Sequence, residues 1–117
     1  VAQHAGIAEL TGPQHAVHEM VAAFDARRRV MVEALNALPG LRCAEPGGAF
    51  YAFPNIAGTG MTARQLQDRL LEDAGVATIA GTSFGAGGEG YLRLSCANST
   101  DNIREAIRRI GTVLAAG

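Results

Sequence analysis

The chain has 117 residues, 48% hydrophobic and 18% charged, with a formal net charge of -1; this describes one globular domain that removes roughly two-thirds of its unfolded surface from water. The near-neutral balance argues against a nucleic acid or an anionic membrane as partner, because such binders need a basic excess to neutralise phosphates. All ten cationic side chains are arginine and none is lysine, which excludes a Walker A lysine, any amine nucleophile other than the N-terminus, and an internal Schiff base with a carbonyl cofactor.

Cys43 and Cys96 lie far apart with no CxxC spacing, so neither zinc nor a redox dithiol is indicated and a reducing compartment is the default expectation. Apolar runs stop well short of the roughly 20 residues that span a bilayer, and no charged-then-apolar leader opens the chain. A cytoplasmic location is therefore expected. The chain begins at Val1 with no start or cap signal, which reads as a piece of a longer protein.

In chain order, Gly12-Pro13 introduces a long helix over residues 13–38. Its apolar positions Val17, Met20, Val21, Phe24, Met31, Val32, Leu35 and Leu38 recur at three- and four-residue intervals, with Arg27, Arg28, Arg29 and Glu33 largely off that stripe. Pro39-Gly40 stops it. A short apolar stretch around 41–43 and the turn 45–48 lead to a strand-like run, Ala49-Phe50-Tyr51-Ala52-Phe53, ended by Pro54. Thr62 and Gln65 have the spacing of a capping box, Leu66, Leu70 and Ala74 form the buried edge of the next helix, and Gly75 fits its end. Val76-Ala77-Thr78-Ile79 and Tyr91-Leu92-Arg93-Leu94-Ser95 read as strands flanking a glycine-rich loop, 81–90. A last helix starts near Asn98 or Ser99, with Ile103, Ala106, Ile107, Ile110, Val113 and Leu114 on one face and a Glu105/Arg109 pair on the other. With no internal repeat and no long linker, the simplest packing is an α+β two-layer sandwich.

Several constellations have plainer readings. Gly85 to Gly90 matches G-x-G-x-x-G, but a strand follows it, so there is no helix N-terminus to face a pyrophosphate; a flexible loop is the expectation. His15 and His18, with His4 distant, lack a completing ligand and read as solvent-exposed or interdomain histidines. Asn98-Ser99-Thr100 fits a glycosylation sequon, yet a helix cap explains it better. Arg27-Arg28-Arg29 reads as a solvated helix face rather than a phosphate patch.

Arg93 has more to offer. In an alternating strand Tyr91, Arg93 and Ser95 share one face and Leu92, Leu94 and Cys96 the other, so packing on the apolar side directs the guanidinium out of the opposite side. There it could hold a planar carboxylate bidentately, as lysine could not, or pair with a neighbouring Asp or Glu. The strand pattern alone does not choose between them.

The series Pro46-Gly47-Gly48-Ala49-Phe50-Tyr51, Leu70 to Val76, Ala80-Gly81-Thr82-Ser83-Phe84-Gly85 and Leu92-Arg93-Leu94-Ser95-Cys96-Ala97 resembles the C-terminal third of the aspartate-aminotransferase-like, fold-type I pyridoxal-phosphate enzymes. The opening Leu10-Thr11-Gly12-Pro13-Gln14 and the arginine-bearing helix after it are similar to the segment joining the large and small domains, so the likeness runs through the whole chain. It implies that residues 1–11 are a remnant of the large domain and 12–117 the small domain with its connecting helix, 13–38. It implies that Arg93 binds the substrate α-carboxylate and that Phe50 and Tyr51 border the substrate pocket. Ala80-Gly81 departs from the family's more usual Pro-Gly at the turn before the phenylalanine.

The resemblance further implies pyridoxal 5'-phosphate as cofactor in the full-length enzyme, amino-acid and 2-oxo-acid substrates, and a homodimer. The Schiff-base lysine and most cofactor ligands belong to the large domain and have no match here. This chain is then expected to bear no catalytic, cofactor or metal ligand, and to be inactive alone while supplying a carboxylate clamp and a mobile wall. The alternative is a stand-alone α+β module that binds a small amino or carboxylic acid without catalysis.

Overall fold

The computed structural model describes residues 1–116. It contains the helices α1 (Ala2–Thr11), α2 (His15–Asn36), α3 (Ala63–Ala74) and α4 (Thr100–Ala115), and the short strands β1 (Tyr51–Ala52), β2 (Ile79–Ala80) and β3 (Leu92–Ser95). The strands form one antiparallel sheet in the order β1-β3-β2, with Tyr51 opposite Ser95 and Ile79 opposite Arg93. Helices α2, α3 and α4 pack on the sheet face formed by Leu92, Leu94 and Cys96, all of which are buried. The architecture is the expected α+β sandwich.

Local chemistry accounts for the helix ends. Thr62 Oγ1 accepts the N–H of Gln65 while Gln65 Oε1 accepts that of Thr62, the reciprocal capping box read from the spacing. At the other end of α3, Gly75 takes φ +63, a left-handed conformation that costs a β-carbon-bearing residue energy. Ser99 caps α4 through the N–H of Asn102, so the sequon residues act as a cap.

Some boundaries differ from the sequence expectation. The long helix runs from 15 to 36 rather than 13 to 38: Pro13 and Gln14 precede it, and residues 37–40 form a turn. The opening is helical although it lacks a side-chain cap, and no residue of α1 is buried. Ala49 adopts φ +58, which breaks the extended run and confines β1 to two residues before Pro54. The stretch 41–43 contributes a single bridge, Arg42 to Asn55, instead of a strand.

Leu35, Ile56, Leu66, Leu70, Leu92 and Ile110 form the fully buried centre. The apolar stripe of α2 is only half used, however: Met31 and Leu35 are buried, whereas Val17, Met20 and Val21 are exposed. The radius of gyration, 16.6 Å, exceeds the roughly 13 Å of a compact domain of this length, since α1 and the first half of α2 project from the sandwich.

Candidate functional site

Strand alternation directs Arg93 to the open face. Leu92, Leu94 and Cys96 enter the core, which leaves Tyr91 and Arg93 half-buried and Ser95 exposed on the other side. Antiparallel register then sets Tyr51, opposite Ser95, diagonal to Arg93, and the guanidinium carbon lies over the Tyr51 ring at 4.3 Å from its centroid. A second ring comes from the loop after β2. The 3₁₀ turn Gly81–Phe84 carries Phe84 beneath the same guanidinium at 4.6 Å. Phe53 stacks on Tyr91 at 5.3 Å and meets Phe84 edge-on at 6.3 Å, so the Phe84 ring has an aromatic neighbour of its own.

Arg28, Arg29, Arg69, Arg108 and Arg109 all pair with Asp or Glu. Among the described residues, Arg93 pairs with none, as is also true of Arg27, Arg42, Arg64 and Arg104. Aromatic contact suits its weakly hydrated, planar group and restrains its rotation, while its N–H edge stays available for a planar anion. A cation fixed in this way is matched to a bidentate carboxylate.

The two other expected site residues keep their rings 4.4 Å apart but face different neighbours. Tyr51 reaches Arg93, whereas Phe50 turns towards α2, 6.0 Å from Phe24, and lines a groove of about 670 Å³ with Met20, Val21 and Ala49. The arginine run is also less solvated than expected. Arg28 binds Asp25 and Glu45, each at 2.6 Å, and Arg29 binds Asp25 at 2.9 Å, while Arg27 lies over the Phe24 ring. The hydrogen bond from Arg28, then that from Arg29, holds the Asp25 carboxyl below the usual carboxylate range. Both cysteines are buried as free thiols, and burial raises their pKa.

In the loop 81–90 a second 3₁₀ turn, Ala86–Gly88, follows the first, and Gly81 donates to Tyr91 O at 2.8 Å. The loop leads into β3, with no helix after it, so the G-x-G-x-x-G letters have no phosphate-binding geometry. His4, His15 and His18 are all exposed, and among the described residues no cluster of three or more His, Cys, Asp or Glu side chains could hold a metal ion. Among the described residues, no helix is long and apolar enough to cross a membrane.

Phe84 and Phe53 join this site without a periodic sign in the sequence. The shared face of Tyr91 and Arg93 was visible in the alternation; the approach of Phe84 depends on how its loop bends, for which the residue pattern has no period.

The α+β sandwich is shared with known enzymes. The family model described as Aminotransferase class I and II matches residues 1–110. An aspartate aminotransferase of Pyrococcus horikoshii is 46% identical over 114 residues, 96% of this chain and 29% of that protein. The solved alanine aminotransferase of Pyrococcus furiosus superposes with a TM-score of 0.93 at 31% identity, covering 99% of this chain and 30% of that one. The aspartate aminotransferase of Rhizobium meliloti gives a TM-score of 0.88 at 36% identity, covering 97% and 30% respectively. The chain belongs to the class I and II aminotransferase family, and it spans less than a third of the length of these relatives.

Proposed function

We propose that the full-length protein transfers an amino group between an amino acid, aspartate-like or similar, and a 2-oxo acid, with pyridoxal 5'-phosphate as cofactor, and that this segment supplies its α-carboxylate clamp. The observation that carries the reading is Arg93: a half-buried guanidinium restrained by Tyr51 and Phe84, with no carboxylate partner among the described residues. Relatives named as aspartate aminotransferases support the substrate class.

A carboxylate held on two N–H groups of Arg93 loses its rotational freedom, and the substrate's Cα then has a defined position. Phe84, in contact with the guanidinium and 54% exposed, belongs to the part of the segment read as a mobile wall. The cofactor itself does not fit these residues alone. With no lysine in the chain there is no side-chain amine to anchor it, so its covalent attachment belongs to residues beyond these 117. Homodimer assembly and a cytoplasmic location are part of the same reading.

The test is amino-group transfer by the full-length protein, followed as 2-oxo acid formed from the amino acid, beside calorimetry of this chain with free amino acids. Transfer by the full-length protein and negligible binding by the 117-residue chain are expected. Saturable, stoichiometric binding by the chain with no transfer by the full-length protein would establish the stand-alone binding module instead.

A further inference from the structure

Phe84 reaches Arg93 because the loop 81–90 is bent back on itself, and both ends of that bend are tied to one helix. At its entry, Gln67 Oε1 accepts the N–H of Ala80 at 2.7 Å. At its exit, Glu89 Oε1 accepts the N–H of Ala63 at 2.8 Å and that of Gly90 at 3.1 Å. Ala63 and Gln67 stand i,i+4, one above the other on α3. Between the ties, Gly81 and Gly88 come so close that a β-carbon on either would lie within 2.2 Å of the other's backbone.

The Glu89 contact has a definite physical basis. Ala63 opens α3 and is fully buried, so water cannot satisfy its N–H, and the Thr62 hydroxyl is committed to Gln65. The first turn of α3 also has no acidic residue of its own. A carboxylate from 26 positions further along the chain supplies both the acceptor and the negative charge that a helix N-terminus favours.

We propose that Glu89 is a positioning residue for the substrate clamp: by tying the loop to α3 it holds Phe84 against Arg93 and so fixes the plane in which the guanidinium meets a carboxylate. This rests on the reading of Arg93 as the clamp. Glu89 acts through Phe84, not on the substrate.

The test uses the full-length holoenzyme with Glu89→Ala and Glu89→Gln, each alone and combined with Phe84→Ala, and with Arg93→Ala alongside. Glu89→Ala is expected to raise KM for the amino acid about three- to tenfold while kcat stays near wild type, as for a lost geometric restraint rather than a lost contact. Glu89→Gln, which keeps an acceptor, restores most of the KM. In the Phe84→Ala background Glu89→Ala adds nothing further, because the two substitutions remove the same restraint. If Glu89→Ala does not fold, Gln67→Ala frees the other end of the loop and carries the same expectation. An unchanged KM, or the same factor added again in the Phe84→Ala background, overturns the proposal while a normal Arg93→Ala response leaves the clamp standing. If Arg93→Ala itself leaves KM unchanged, the clamp and the positioning role both fall.

Discussion

The guanidinium carbon of Arg93 lies 4.3 Å from the ring centroid of Tyr51, its diagonal neighbour across the antiparallel pair of β1 and β3. A ring in this position restrains the arginine without using its N–H donors. In the full-length enzyme, Arg93→Ala is expected to lower kcat/KM for the amino acid about 100-fold, the equivalent of a lost pair of charge-assisted hydrogen bonds. Arg93→Lys should recover little of it, since a point-like ammonium lacks the planar fork. Steady-state kinetics on the three proteins check this, and equal values for all of them would refute the role.

The amine inventory has a chemical readout. Mixed with pyridoxal phosphate and borohydride, the 117-residue chain should trap no stoichiometric adduct except at Val1, because it has no lysine. Peptide mapping by mass spectrometry decides; an adduct at an internal residue would contradict the assignment.

Leu35 is fully buried where α2 meets the rest of the core. Leu35→Ala should destabilise the fold by about 2–5 kcal/mol, the transfer cost plus the cavity left behind. Denaturant unfolding should show a lower midpoint with an unchanged slope.

At α3, Thr62→Ala removes the hydroxyl that accepts the Gln65 N–H and should cost about 1 kcal/mol, with Thr62→Ser close to wild type. Equal melting temperatures for all three proteins would show that the cap contributes nothing.

Hydrogen bonds from Arg108, then Arg109, lower the Glu105 carboxyl from its ordinary 4.5 to about 2. A depressed folded-state value means that the folded protein resists protonation there, so this stabilisation is complete above pH 4.5 and disappears as the pH falls towards about 2. The pair is exposed, so the effect is small and weakens with salt. Melting temperatures of the wild type and Glu105→Gln should differ slightly near neutral pH and converge at the acid end; a constant difference across the range would mean that the charge is not responsible.

Elements whose cause is local were legible in the residues. The Thr62/Gln65 spacing, the glycine after Ala74 and the three- and four-residue apolar intervals of α2 and α4 act within one or two helical turns. The face of Arg93 was legible for the same reason, because alternation in a strand needs only its immediate neighbours. Less visible were strand ends and helix ends, where Ala49 at φ +58 or the turn at 37–40 overrides a pattern that continues through them.

By itself, then, the sequence determined that this chain has no amine for carbonyl chemistry, that it forms an α+β domain, and that Arg93 leaves the core; these follow from composition and from periodicities of two and 3.6 residues. Only the tertiary structure decided that Arg93 has aromatic rather than carboxylate neighbours, that Tyr51 and not Phe50 is one of them, and that Glu89 ties the Phe84 loop to α3. Those contacts join residues from nine to 42 positions apart. Chain separation of that kind leaves no periodic trace, and sheet register and loop path settle it.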